Sequence, residues 1–265
     1  MTSAPDPDQL QALALEAATT AGDLLLDRFS APPTGVERKS SSTDMVSDAD
    51  RDAERLIRDI LLRARPGDAI LGEEEGERAG GSGLLWVVDP LDGTTNYLYR
   101  EPIWAVSIAC EDAAGAIAGV VLHPCMGETF SAVRGGGARL NGRPITVSDE
   151  ADLSRSLIGT GFSYAPHVRE EQARSLVEIL PRVRDVRRAG SAAIDLAWVA
   201  CGQLDGYYEL GTHRWDRAAG ELLVREAGGV VTPLAPVGDS GGGVLAAGPA
   251  LHDALNDLVG AALLH

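Results

Sequence analysis

The stretch Trp86-Val87-Val88-Asp89-Pro90-Leu91-Asp92-Gly93-Thr94-Thr95-Asn96 constrains this chain more than any other segment. It begins in an apolar run, Leu84 to Val88, that reads as a short buried strand. It then delivers two carboxylates, Asp89 and Asp92, with a proline between them. Gly93, Thr94 and Thr95 follow, where backbone N–H groups and two hydroxyls are free to meet an anion. Carboxylates bind hard divalent cations, and a glycine-opened turn leading into a helix binds phosphate. Together they suggest one job, holding a metal against a phosphoryl group. Asp-Pro and Asp-Gly are also common turn formers, so the stretch taken alone is served equally by a plain turn.

Other segments bear on that choice. Gly72-Glu73-Glu74-Glu75-Gly76 follows the short apolar run Ala69-Ile70-Leu71, so a second strand end carries acid; a solvated acidic loop is the alternative. In Trp215-Asp216-Arg217-Ala218-Ala219-Gly220-Glu221, Asp216 reads as the N-cap of a helix that Gly228-Gly229 ends. A carboxylate at a helix N-terminus stays ionised, which suits a ligand as well as a cap. Lys39 to Asp50 reads as a polar loop with three acids, Asp44, Asp48 and Asp50, ahead of a helix from Asp52 to Arg63. The five histidines are scattered and no Cys/His pair has zinc spacing. The candidate ligands are all oxygens, which selects Mg²⁺ or Mn²⁺.

Composition narrows the class. A net charge of -16 argues against a nucleic-acid or anionic-membrane surface. No apolar run approaches the ~20 residues of a membrane helix. The polar start, Met1 to Asp6, has no cationic leader, and Cys110, Cys125 and Cys201 are far apart, with Cys110 and Cys201 in apolar settings that suggest buried thiols. A reduced, cytoplasmic setting is the expectation.

The periodicity gives a coarse layout. Asp8 to Phe29 is helical; Trp104 to Cys110 and Ala116 to His123 are strands joined as a hairpin; Thr129 to Val133 is a strand; Arg139 to Val147 is a hairpin around Asn141-Gly142. Beyond Asp149, strand (Leu157 to Thr160), helix (Arg169 to Ile179), strand (Val183 to Arg187) and helix (Ala192 to Cys201) alternate. That is an antiparallel-rich first half, residues 1–148, and an α/β half, residues 149–265.

The set of motifs resembles the inositol monophosphatase family of Mg²⁺-dependent, lithium-sensitive phosphatases. Gly72 to Glu74, Trp86 to Asn96, and Trp215 to Gly229 occur in that family's order and spacing, and Arg188 to Ala193 and Asp205 to Glu209 match its substrate-side segments. The resemblance runs from about Leu10 to the C-terminus. It implies a mixed α+β fold, the layered αβαβα sandwich of the inositol monophosphatase and fructose-1,6-bisphosphatase type, and a homodimer. By the same resemblance, Glu73, Asp89 and the Leu91 carbonyl hold one Mg²⁺, and Asp89, Asp92 and Asp216 hold a second, with a weaker third near Glu73. Thr94, supported by Asp50, orients a metal-activated water, Glu73 helps take its proton, and the Gly93 and Thr94 amides cradle the phosphate. Asp92, the Ala192 backbone and Glu209 match positions that bind polyol hydroxyls.

The expected activity is hydrolysis of inositol monophosphate to inositol and phosphate. Histidinol phosphate is the main rival substrate, and other sugar or nucleotide phosphates share the scaffold. The aromatic pair in Leu157 to Tyr164, Phe162 and Tyr164, replaces small polar residues of some relatives at the substrate rim. A catalytically silent regulatory or scaffold protein is the alternative of another class; a missing metal carboxylate would favour it, and Glu73, Asp89, Asp92 and Asp216 are all present.

Overall fold

The computed structural model describes residues 6–31, 34–38 and 45–263. Asp6 caps the first helix, α1 (Pro7–Phe29), whose first position is a proline. A two-stranded ribbon, β1 (Glu37–Arg38) with β2 (Met45–Val46), leads to α2 (Asp48–Ala64). The first large sheet holds β3 (Ala69–Gly72), β4 (Gly76–Arg78), β5 (Leu85–Asp92), β6 (Ala105–Asp112), β7 (Gly115–His123), β8 (Glu128–Val133), β9 (Gly137–Leu140) and β10 (Arg143–Pro144). Its order is β10-β9-β8-β7-β6-β5-β3-β4, antiparallel except where β3 runs beside β5. A short helix, α3 (Thr94–Tyr99), follows β5.

The rest of the chain supplies β11 (Leu157–Thr160), α4 (Pro166–Ile179), β12 (Asp185–Arg187), α5 (Ala192–Ala200), β13 (Gly206–Leu210), α6 (Arg214–Glu226), β14 (Val230–Leu234), β15 (Gly243–Ala247) and α7 (Pro249–Ala262). The second sheet is ordered β12-β11-β13-β15-β14. Its alternating α/β character holds for β12, β11 and β13, which are parallel; β15 and β14 run antiparallel.

The layering follows from period-two burial on strands covered on both faces. Along β5 and β6, Trp86, Val88, Val106, Ile108 and Cys110 face an outer core with α1 and α2, while Val87, Ala105 and Ala109 face a middle core with α5 and α6. The middle core also takes Tyr207, Val244 and Ala246 from the second sheet, whose other face packs Ile158, Tyr208 and Leu245 against α4 and α7. The result is the αβαβα sandwich. Two helices fit between the sheets because small residues let them approach: a Cβ on Gly220 would come within 2.6 Å of Leu196.

Two helix starts differ from the sequence reading. The acids ahead of Asp52 are not all loop: α2 begins at Asp48, Ser47 is its cap, and Asp50 closes a capping box with it. Ser47-Asp48-Ala49-Asp50 is an S-x-x-D pattern, and Asp48 and Asp50, expected in a polar loop, lie in the first turn of the helix. Residues 39–44 of that segment lie outside the described residues. Likewise Asp216 is not the N-cap of α6; His213 is, and Asp216 is the third helical residue. Of the two thiols expected to be buried, Cys110 is, while Cys201 is half-buried.

Candidate active site

The site is assembled where β5 loses register. Ser107 of β6 pairs with Asp89 and Ala105 with Asp92, so three steps on β5 match two on β6. In an unbroken strand, residues three apart point to opposite faces. The extra residue reverses that parity, and both Asp89 and Asp92 line one cavity. Pro90, which has no N–H to give a ladder, occupies the irregular step. Asp89 is 1% exposed and accepts from the Leu91 N–H at 3.0 Å. Gly93 then adopts φ +97°, a conformation open to glycine and strained for other residues, and turns the chain into α3. Tyr97 holds α3 down, donating its hydroxyl to the Leu25 carbonyl of α1 at 2.8 Å.

Each remaining acid is carried in by a different element. Glu73 leaves the end of β3, its N–H bonded to the Val88 carbonyl at 3.2 Å. Asp216 sits in the first turn of α6 and accepts from the His213 N–H at 2.6 Å. Asp92 meets the start of α5: one oxygen accepts from the Ser191 hydroxyl and the Ala193 N–H, both at 2.7 Å. The N-terminal ends of α5 and α6 thus both face these carboxylates, where the helix dipole favours negative charge. Asp50 Oδ1 lies 3.0 Å from the Thr94 hydroxyl, which is also 3.2 Å from the Leu91 carbonyl; its single proton serves one acceptor at a time.

The cavity has a volume of about 410 Å³, and Glu73, Asp89, Leu91, Asp92, Gly93, Thr94, Ala192, Glu209 and Asp216 all line it. Asp50 is behind the wall, in contact through Thr94. Phe162, Tyr164, Arg188 and the stacked pair His213 and Trp215, whose ring centroids are 4.7 Å apart, also line it. Glu209 is fixed by the Tyr207 hydroxyl, which donates to it at 2.6 Å.

Charge is crowded here. Burial raises the Asp89 carboxyl well above its ordinary range, and the neighbouring Glu73, Asp92 and Asp216 raise it further. Burial raises Asp216 in the same way, with Asp92 and Glu73 adding to it. Asp92 is pushed up to about 7 by burial, against the hydrogen bonds from Ser191 and Ala193. Among the described residues, no three His, Cys, Asp or Glu side chains are drawn into a closed ligand shell. The four acids stand around the cavity wall and meet through charge. The donor set is all oxygen, burial disfavours the charged forms of Asp89, Asp92 and Asp216, and a hard divalent cation is the partner that would favour them. The residues therefore fit Mg²⁺ or Mn²⁺.

Several contributors fall in or beside the matched segments but had no individual role assigned from the sequence. Ser191 and Ala193 touch Asp92 across about a hundred residues of chain, so it is Ala193, one residue beyond Ala192, whose N–H meets that carboxylate. Tyr207 and the His213–Trp215 stack are further examples. Asp195, one turn into α5, is 1% exposed with neither carboxylate oxygen hydrogen-bonded among the described residues; burial, then Glu209 and Asp92, raise it well above the usual range. For Ser191 the sequence offered its place in the matched Arg188 to Ala193 segment and a serine before an apolar helix, the ordinary mark of a cap, and neither pointed to Asp92.

Comparison with known proteins agrees with the architecture. Residues 6–263 match the inositol monophosphatase family. An inositol-1-monophosphatase of Mycobacterium bovis is 46% identical over 230 residues, 83% of this chain and 79% of the relative. The Nus factor SuhB of Escherichia coli is 41% identical over 225 residues, 83% of each chain. The crystal structure of the extragenic suppressor protein suhB from Bartonella henselae superposes with a TM-score of 0.88 at 37% identity, covering 95% of this chain and 98% of that one. With the fold matched and the match spanning nearly all of its length, the chain belongs to the inositol monophosphatase family.

Proposed function

We propose that this chain is a Mg²⁺-dependent phosphomonoesterase that hydrolyses inositol monophosphate to inositol and phosphate. The observation that carries the reading is the convergence of Glu73, Asp89, Asp92 and Asp216 on one cavity whose wall continues into the Gly93–Thr94 turn. Glu73, Asp89 and the Leu91 carbonyl would hold one cation, and Asp89, Asp92 and Asp216 a second. Bound there, the cations supply positive charge for the phosphoryl oxygens and the leaving oxygen. Mn²⁺ suits the same donors.

The chain's own groups do the rest. The Gly93 and Thr94 amides bind the phosphate. With its proton given to Asp50, the Thr94 hydroxyl turns its lone pairs toward the cavity, where they accept from a water and set its line of approach. Glu73, which lines the same cavity, would take that water's proton. Glu209, held by Tyr207, accepts from hydroxyls of the departing polyol, and Asp92 and the Ala192 backbone face the same groups. Phe162 and Tyr164 at the rim are apolar faces that an imidazole could stack on, which keeps histidinol phosphate as the second substrate reading.

Homodimer formation and a cytoplasmic setting belong to the proposal; among the described residues, no helix is long and apolar enough to cross a membrane. A relative named as a Nus factor raises the scaffold alternative, and activity separates the two. The test is phosphate release from inositol 1-phosphate, histidinol phosphate and fructose 1,6-bisphosphate, with Mg²⁺ and with chelator. Mg²⁺-dependent turnover greatest on inositol 1-phosphate supports the proposal. Release from none of them overturns it, and preference for another compound transfers the assignment to that substrate.

A further inference from the structure

Beside the cavity, α2 carries a second buried carboxylate that none of the proposed chemistry uses. Glu54 is one helical turn beyond Asp50 and fully buried. Its two oxygens receive the backbone of the acidic turn after β3: the Glu74 N–H at 2.7 Å on one and the Glu75 N–H at 3.1 Å on the other. Arg58, a further turn along, donates to Glu54 at 2.8 Å and to the Gly76 carbonyl at the far end of the same turn. The fit is close. A Cβ on Gly72 would lie 2.0 Å from a Glu54 oxygen, so only glycine leaves room for the carboxylate to reach the amides. Between the tethered residues Gly72 and Glu74 stands Glu73, whose own N–H is tied to Val88 of β5.

One face of α2 therefore reaches both halves of the site. Asp50 holds the Thr94 hydroxyl, and Glu54, four residues on, holds the turn that presents Glu73. We propose that Glu54 is a positioning residue for the metal site, fixing the Gly72–Glu75 turn so that Glu73 faces Asp89 and the cation the two would share. This rests on the proposed metal-dependent function. A surface loop with three successive glutamates repels itself. Two backbone N–H groups given to one buried carboxylate, itself neutralised by Arg58, hold it in a single form.

The test measures cation binding apart from turnover. Titration calorimetry with Mg²⁺ is run on the full chain, on Glu54→Gln, on Gly72→Ala, and on the double variant Glu54→Gln/Arg58→Met. The amide of Gln places an N–H₂ against an existing donor. Gly72→Ala displaces the carboxylate with its charge intact. The double variant removes the buried charge left on Arg58 and so recovers thermal stability. Substitutions that support a ligand without touching the metal typically cost on the order of 10–100-fold in affinity, and that loss is expected in all three variants. The Mg²⁺ concentration for half-maximal phosphate release should rise in parallel, while KM at saturating Mg²⁺ stays within about twofold. Variants that melt earlier yet bind Mg²⁺ as the parent does overturn the positioning role and leave Glu54 a stability residue. If the parent chain itself takes up no Mg²⁺, the metal-dependent function falls and this role with it. Loss of affinity in the stable double variant supports the proposal.

Discussion

Asp89→Asn is the sharpest perturbation of the site because it changes charge and almost nothing else. The amide oxygen still accepts from the Leu91 N–H, so the turn after β5 keeps its 3.0 Å bond and the fold is retained. What changes is the carboxylate that faces Glu73, Asp92 and Asp216 together. As the ligand proposed to be shared by two cations, it cannot be replaced by a neutral amide. Losing one preorganised electrostatic contact in a transition state commonly costs ~3–4 kcal/mol, which at 1.36 kcal/mol per decade is on the order of 10²–10³ in rate. Stability should move the other way without metal, since one of four mutually repelling acids around the cavity, the buried one, has become neutral. Cation binding to the folded state at 100 times its dissociation constant adds about 2.7 kcal/mol, roughly 5–11 °C for a chain of this size, and most of that gain should vanish in the variant. The assay is phosphate release together with thermal unfolding, each with Mg²⁺ and with chelator. Retention of more than about a tenth of the parent rate, or an undiminished Mg²⁺-induced rise in Tm, would refute the shared-ligand role.

In chelator, Tm should rise as pH is lowered from 8 to 5.5: the folded Asp92 pKa is about 7 and those of Asp89 and Asp216 are raised too, against ~4 unfolded, so stability is full below the unfolded value and is lost as pH climbs through the folded one. Saturating Mg²⁺ should flatten that dependence, and a flat profile in chelator would contradict the crowding. Glu209→Gln should raise KM for inositol 1-phosphate by an amount equivalent to ~1.5–3 kcal/mol while sparing p-nitrophenyl phosphate, which has no polyol hydroxyls. Equal losses on both substrates would make Glu209 a support of the metal site. Lithium at millimolar concentration should inhibit in a nearly uncompetitive pattern, because a small monovalent ion fits an all-oxygen site after product forms but cannot stabilise the leaving oxygen; equal inhibition by sodium would count against this.

Local rules carry far in this chain where local rules decide. The α1 helix, the hairpin of β6 and β7, and the Asn141–Gly142 turn, whose φ values of +50° and +76° suit a tight hairpin, are set by spacing, capping and turn chemistry within a few residues. The acid-bearing motifs were equally legible, because carboxylates after an apolar strand are unusual enough to point to chemistry. Tertiary structure decided how those acids face one another. Asp89 and Asp92 share a wall only because β6 imposes a bulge on β5, and nothing in three residues of sequence reveals a partner strand's register. Asp50 and Asp216 looked like a loop acid and a cap, and are capping-box residues, Asp50 bonded to Thr94 and Asp216 beside Asp92, because α2 and α6 each begin about a turn earlier than propensity suggests. Glu54 carries no mark in sequence that separates it from the other acids of its helix. Burial by the turn after β3 gives it two backbone N–H groups and an arginine, and a polar residue's environment is a property of what packs on it.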